Sequence, residues 1–412
     1  MESSAAIELA KHVLSTFAII LAFGSAFGLL AQRFKVPDVA IFLILGMLLG
    51  PEIAGLVNIA ADSALNQIIL IFGASYILFD GGASLRLKVL KEVWITIVIL
   101  AKIGVLITAG ITAVAAYYVF SLPFIVALLL ALTIASTDPA TLVPVFRQVK
   151  IRDRVAQTVM SESAFNDATG AIATFAVLGI AMGQGGDFSV GAALWDLLKQ
   201  AGIGILAGGI LGYLASVLVA HETLGFFRNN TPVVTLMAVI GAYLGADGFQ
   251  ASGFMAVFVF GIMLGNKDAF GFKMDHADQE KMEDFVATTA FIMRMFIFIL
   301  LGAQVDFSLM NKYLVGGVIV VTVFMLVARP VTVFLCALPD RRAKWDVKEM
   351  LFMCWTRETG VIPGALAGLL LGMGAPEAKL IASVTFLAIL MTILIQATTT
   401  KWLAGKLGLL VE

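Results

Sequence analysis

Ser136-Thr137-Asp138-Pro139-Ala140 interrupts an apolar run over 122–146, and Thr356-Arg357-Glu358-Thr359-Gly360-Val361-Ile362-Pro363-Gly364 interrupts another over 347–373. Polar residues beside Pro or Gly at mid-span depth mark a discontinuous membrane helix, whose freed backbone groups need partners that lipid does not provide. Asp138-Pro139 also reads as the N-cap and first residue of a new half-helix. A simple proline kink is the alternative for either break alone. Two breaks at matching places argue against it.

The surrounding chain is built for lipid. Of 412 residues, 60% are apolar and 13% charged, with a mean hydropathy of +1.00; soluble domains average about 45–50% apolar and about 25% charged. A crossing helix needs about 20 apolar residues. The apolar runs predict about thirteen crossings, near 8–31, 38–57, 64–85, 93–119, 122–146, 156–182, 190–220, 231–246, 251–266, 284–304, 312–338, 347–373 and 377–404. No cleavable signal is expected, since Glu8 and Lys11 interrupt the first run.

Charge placement tests that count. With the N-terminus outside, the loops assigned to the inside hold 19 of the 27 basic residues, and the opposite side only Lys11, Lys312 and Lys379. Basic residues favour the cytoplasmic side, so the chain reads as a multi-pass protein of the cell membrane, N-terminus out and C-terminus cytoplasmic. An odd count also inverts the halves. If the seventh helix is a linker, crossings 1–6 and 8–13 form two inverted six-helix repeats, with broken helices at 5 and 12.

Ionisable groups at the centre of a membrane helix cost about 2.5–3.5 kcal/mol each on insertion scales, so several in one helix call for a function. The sixth run contains Ser161-Glu162-Ser163-Ala164-Phe165-Asn166-Asp167-Ala168-Thr169-Gly170. Glu162 and Asn166 are four apart, as are Ser163 and Asp167, so each pair shares a helix face. Thr137 and Asp138 lie at comparable depth, Phe79-Asp80-Gly81-Gly82 ends the third run, and Arg329 sits in the eleventh. Carboxylates, hydroxyls and freed carbonyls suit a small hard cation, whereas soft metals prefer Cys or His. A desolvated carboxylate is neutralised by a proton or by a cation, but not comfortably by both. That competition, at Asp167, is the minimal machine for exchange. Glu162 needs another role, and Arg329 is its expected partner, because Arg stays charged and binds a carboxylate through two bonds. The pair either serves transport or only fixes packing. Asp138 either ligates the ion or caps a half-helix and balances its dipole. Arg357 and Glu358 are adjacent and able to neutralise one another; Lys102 and Arg294 have side chains long enough to snorkel to an interface.

Other classes fit less well. There is no phosphate loop or dinucleotide fingerprint, and net charge is −1, so neither ATP nor nucleic acid is an expected partner, and no cofactor is called for. His12, His221 and His276 lie near expected helix ends or in loops, Cys336 and Cys354 in apolar stretches, which leaves no zinc or disulfide framework. An intramembrane protease lacks its nucleophile–His pair or paired aspartates, so the chain is not read as an enzyme. A cation channel or organic-solute carrier on a similar inverted-repeat scaffold is the alternative; a channel does not need a proton-competing aspartate. Gly204, Gly208 and Gly212 form a small-residue stripe that permits close helix contact.

Phe165-Asn166-Asp167, preceded by Ser161-Glu162-Ser163, resembles the Asn-Asp signature of the electroneutral branch of monovalent cation/proton antiporters, which includes the NhaP-type Na⁺/H⁺ antiporters and the animal Na⁺/H⁺ exchangers. Thr137-Asp138-Pro139-Ala140-Thr141 resembles that family's unwound fifth helix, and Ala328-Arg329 the arginine that pairs with the glutamate of the sixth. The resemblance implies a homodimer working by elevator-like alternating access. Residues 1–92 and 221–310 would form the dimerisation half, 93–182 and 311–404 the ion-translocating core, and 183–220 the linker helix. It implies that Asp167 binds Na⁺ or H⁺, with Li⁺ and K⁺ as further candidates. Ser163 and the Thr137 carbonyl would contact the ion, Asn166 would tie to the broken helix, and Glu162 would pair with Arg329. With Asn166 where the electrogenic branch has a second aspartate, it implies one cation per proton. Two departures stand out. Asp80 replaces the usual glutamate of Phe-Glu-Gly-Gly and is one methylene shorter, so an ion contact there runs through water or is lost. Thr359-Gly360 stands where the family often has Arg-Gly. No long cytoplasmic regulatory tail is expected.

Overall fold

A computed structural model describes residues 2–34, 36–138, 141–142, 145–146, 149–183, 190–220, 227 and 230–411. Pro139, Ala140 and His221, named above, and the basic residues Lys35, Arg147 and Arg228 lie outside the described residues. So does part of the 183–220 linker.

The protein is all-helical. The crossings are α1 Glu2–Phe34, α2 Asp38–Leu49, α3 Ala64–Ala83, α4 Leu87–Phe120, α5 Phe124–Ala135, α6 Asp153–Ala181, α7 Val190–Ala220, α8 Thr231–Gly248, α9 Gly253–Gly265, α10 His276–Ala303, α11 Phe307–Ala337, α12a Val347–Trp355 with α12b Val361–Gly372, and α13 Ala378–Leu407. Among the described residues nine helices are long and apolar enough to cross a membrane, and the shorter apolar helices α2, α5, α9 and α12b complete thirteen crossings. Helical geometry resumes after α5 at Thr141, Leu142, Val145 and Phe146.

Local chemistry sets the ends. Ser63, Ser252 and Asp306 cap α3, α9 and α11 by accepting from Asn66, Met255 and Leu309 amides. Asp346 and Glu349 form a reciprocal capping box on α12a. Among the helix ends that depart from the apolar runs, two have a local cause. α2 stops at Leu49 because Pro51 holds Gly50 in extended backbone. α10 begins at His276, capped by Asp275, so its charged first turns precede the apolar run.

The fourth member of each half carries a single π-helical turn, Leu100–Gly104 in α4 and Phe324–Ala328 in α11. The fifth member of each half is broken. These paired irregularities at equivalent places are the mark of two repeats. A third π turn, Thr392–Ala397, lies in α13 alone. In α11 the turn adjoins Pro330, which has no amide to offer the carbonyl four residues back.

Packing divides the helices into two sets. α1–α3 and α7–α10 share one large apolar core that includes Phe42, Tyr76, Phe260 and Phe298, and Val361 of α12b with Phe386, Ile389 and Ile393 of α13 packs into it. α4–α6 and α11–α13 share others, around Leu129, Ile134, Phe324 and Ile381, and around Val155, Val333 and Phe352. The small-residue stripe on α7 is spent within the chain: Gly208 lies against the Ala256 backbone of α9, where a Cβ has no room.

The loops rich in Arg and Lys gather at one end. There Arg152 and Arg154 reach Glu349, each at 3.3 Å, and Arg86 reaches Asp153 at 3.2 Å. The chain's last residues join them, the Val411 amide donating to Lys150 O at 2.9 Å. Two expectations need correction. Arg294 does not snorkel; it is buried and meets Asp38 at 3.5 Å, a partner 256 residues away. His12 lies within α1 and not at a helix end, its Nε2 near Asn58 O.

Candidate ion-binding site

The two breaks meet. Ser136 to Asp138 leave helical geometry after α5, and Thr356 to Gly360 separate α12a from α12b. The Asp138 amide donates to the Glu358 carbonyl at 2.7 Å, joining two non-helical segments whose backbone would otherwise be orphaned in a dry interior. Their approach is tight enough to require glycine: the Asp138 carboxylate occupies the place a Cβ on residue 360 would take.

Four half-helix ends point into this crossing, and fixed charges answer them. Arg357 donates through Nη2 to Ala135 O, the carbonyl end of α5, and through Nη1 to Thr108 Oγ1 at 3.3 Å, with its guanidinium 4.7 Å from the Phe324 ring. A cation at a helix C-terminus is the favourable sign. Asp138 is the counterpart: its carbonyl accepts from the Thr141 and Leu142 amides, and its Oδ2 accepts from Thr141 Oγ1 at 2.9 Å. Its carboxylate also borders Gly360, at the start of α12b. Arg357 therefore does not neutralise Glu358. Its Nη donors are taken by Ala135 O and Thr108, and neither Glu358 carboxylate oxygen has a hydrogen-bond partner.

α6 supplies the rest. Asn166 holds Thr137 at two points, accepting from its amide at 3.0 Å and donating to its Oγ1 at 2.9 Å. Glu162 binds Arg329 through both oxygens, at 2.5 and 2.9 Å, and Arg329 Nε donates to Met353 O at 2.9 Å. One guanidinium thus ties α6, α11 and α12a, with both partners fully buried.

Asp167 is different. It is fully buried, yet neither carboxylate oxygen has a hydrogen-bond partner. The hydroxyls of Ser136, Ser161 and Ser163 are also unpartnered. Ser136 and Asp138 act on its carboxyl from the break, and Gly170, three residues on, packs against Ser136. Ser163 is one turn before it on the same helix. A buried carboxylate among vacant hydroxyls is an incomplete shell of hard oxygen ligands. Asp80 is buried on α3 and lines a cavity of about 420 Å³ with Glu283 and Asp284.

The polar residues Thr392 and Gln396 border the crossing and carried no role in the sequence reading. Their signal was present, as polar side chains inside apolar runs, but it did not say which face they take.

The comparisons with known proteins bear on this site. The family model described as "Sodium/hydrogen exchanger, transmembrane" matches residues 18–406. The chain belongs to the sodium/hydrogen exchanger family. This exchanger is 32% identical to Na⁺/H⁺ antiporter 1 of Methanocaldococcus jannaschii, over 94% of each chain. It is 27% identical to the Na⁺/H⁺ antiporter ApNhaP of Aphanothece halophytica, over 100% of this chain and 78% of that one, and 29% identical to the K⁺/H⁺ antiporter NhaP of Alkalimonas amylolytica, over 91% and 64%. Its fold matches the solved structure of the sodium proton antiporter MjNhaP1 from M. jannaschii at pH 8, with a TM-score of 0.80, 30% identity and 99% of each chain covered.

Proposed function

We propose that this exchanger moves Na⁺, with Li⁺ and K⁺ as further substrates, against H⁺, one cation for one proton. The observation that carries the reading is Asp167, fully buried with both oxygens unpartnered near the vacant hydroxyls of Ser136 and Ser163. Ionised and alone, such a group costs several kcal/mol, so each transit needs a neutralising guest. The guest is a cation on one half-cycle and a proton on the other. The names of its relatives, Na⁺/H⁺ and K⁺/H⁺ antiporters, support exchange over a channel or an organic-solute carrier.

The neighbours have distinct tasks in this mechanism. Asp167, Ser163 Oγ and the Thr137 carbonyl ligate the cation, the last freed because residue 137 lies outside any helix. Asn166 fixes Thr137, and Glu162 with Arg329 fixes α6 against α11 and α12a. Asp138 balances the half-helix ends. Asp80 attracts cations into the cavity it lines without ligating them at Asp167. With Asn166 neutral, a single carboxylate exchanges its guest, and no net charge moves.

Alternating access then displaces 93–182 with 311–404 against 1–92 with 221–310, joined by 183–220. Most of the apolar packing falls within one helix set or the other, which supports that division, while α12b and α13 residues also pack against the first core. A homodimer in the cell membrane, N-terminus out and C-terminus cytoplasmic, completes the reading, with the basic loops on the cytoplasmic face.

The test uses purified protein in vesicles with an imposed pH gradient and a trapped pH dye. Addition of Na⁺ dissipates the gradient, and clamping the membrane potential with valinomycin and K⁺ leaves the rate unchanged. A rate that follows voltage refutes one-for-one exchange; no response to Na⁺, Li⁺ or K⁺ refutes the function.

A further inference from the structure

Two groups of unpartnered buried polar atoms border the crossing. One, on the α6 side, is Asp167 with its serines. The other is on the α13 side: both carboxylate oxygens of Glu358, the hydroxyl of Thr359, and both amide atoms of Gln396. All three side chains are fully buried.

Contacts bring these residues together. The Thr359 amide donates to Thr392 Oγ1 at 3.1 Å, and Gln396 follows one turn later in the π turn Thr392–Ala397. Thr400, whose hydroxyl binds Gln396 O at 2.8 Å, acts on the Glu358 carboxyl from the same face of α13. π turns recur at functional sites, because they free a carbonyl and re-aim a side chain.

The charges around the crossing do not balance without a guest here. Glu162 is matched by Arg329, Arg357 serves the end of α5, and Asp138 serves the half-helix ends. Glu358 is left without an ion-pair partner, and the Thr400 hydroxyl that acts on it also donates to Gln396 O. A proton on Glu358 leaves the Thr359 and Gln396 oxygens without a ligand, whereas a dehydrated monovalent cation takes carboxylate, hydroxyl and amide oxygens together. The Gln396 amide nitrogen is then a donor for the remaining carboxylate oxygen. A single carboxylate matches a single positive charge. Among the described residues no group of three His, Cys, Asp or Glu gathers to hold a divalent ion.

We propose that Glu358, Thr359 and Gln396 form a second monovalent-cation site on the α13 side of the crossing. An ion held there on both half-cycles carries no net flux, so exchange at Asp167 keeps its ratio. The second ion braces the junction between the Asp138 amide and the Glu358 carbonyl. The site is additional to Asp167 and stands or falls independently of it.

Equilibrium binding of radioactive sodium, and separately potassium, to the purified full-length protein at alkaline pH reads the number of sites directly. The wild type binds two cations per protomer at saturation, Asp167→Asn one, Glu358→Gln one, and the double variant none. Glu358→Gln keeps the side chain's size; should it fail to fold, Gln396→Met removes a ligand without changing charge and weakens one of the two sites about tenfold or more. One cation in the wild type, unchanged in Glu358→Gln or Gln396→Met, overturns the second site. So does a Glu358→Gln variant that changes proton release but not the cation count. If Asp167→Asn keeps two cations while Glu358→Gln loses one, the exchange reading at Asp167 fails and the second site stands.

Discussion

The Asp138 carboxylate fills the space beside Gly360 that any other residue's Cβ would claim, while the Asp138 amide donates to Glu358 O at 2.7 Å. The crossing is therefore locked by one side chain and one backbone bond on the same residue. Gly360→Ala forces those segments apart and should cost about 1–3 kcal/mol, as overpacking does. Combining it with Asp138→Ala should cost less than the two single losses added together, because the clash is relieved. Thermal unfolding of the four proteins checks this; simple additivity refutes the contact.

Asn166→Ala removes both bonds to Thr137 and leaves a buried amide without an acceptor, a loss of about 1–3 kcal/mol. Thr137→Ala removes only the hydroxyl contact and should cost less. Cation affinity should fall in the same order, measured by the Na⁺ concentration that half-dissipates a pH gradient. Equal effects count against Asn166 as the clamp on the Thr137 backbone.

Glu162→Gln or Arg329→Gln strands a buried charge, with an expected loss of about 3–5 kcal/mol each. Replacing both with methionine should recover most of that, and the folded double variant should still bind Na⁺ at Asp167. Unfolding midpoints and binding isotherms report the two results. A double variant that folds but no longer binds Na⁺ makes the pair part of the ion site.

Competition fixes the pH dependence. Where the proton is the dominant guest of Asp167, each unit of acidification should raise the half-saturating Na⁺ concentration about tenfold, since one proton leaves per cation bound. The maximal rate at saturating Na⁺ should change far less. A half-saturating concentration that stays constant across acid pH contradicts a shared site.

Much of this was legible in the sequence because lipid enforces simple rules. Apolar runs bounded by polar residues mark the crossings, and Asp138 and Gly360 mark the breaks within them. Glu162 and Arg329 were matched by chemistry alone, since few groups satisfy a buried carboxylate. Other features left no trace in composition. Phe324–Ala328 is an ordinary apolar stretch, and Leu100–Gly104 departs from one only at Lys102, so composition gives no sign of their π turns. Arg357 and Glu358 look like a pair because they are neighbours in the chain, yet Arg357 turns to the carbonyl end of α5. Arg294 finds Asp38 only through the tertiary fold, and Gln396 acquires a role only when the break of α12 is laid against it.

The most direct measurement is Na⁺-driven dissipation of a pH gradient by Asp167→Asn in vesicles, beside wild-type protein of the same monodispersity and unfolding midpoint. The account predicts no dissipation with Na⁺, Li⁺ or K⁺, because an amide holds neither the cation's counter-charge nor the exchanged proton. Dissipation at the wild-type rate contradicts it.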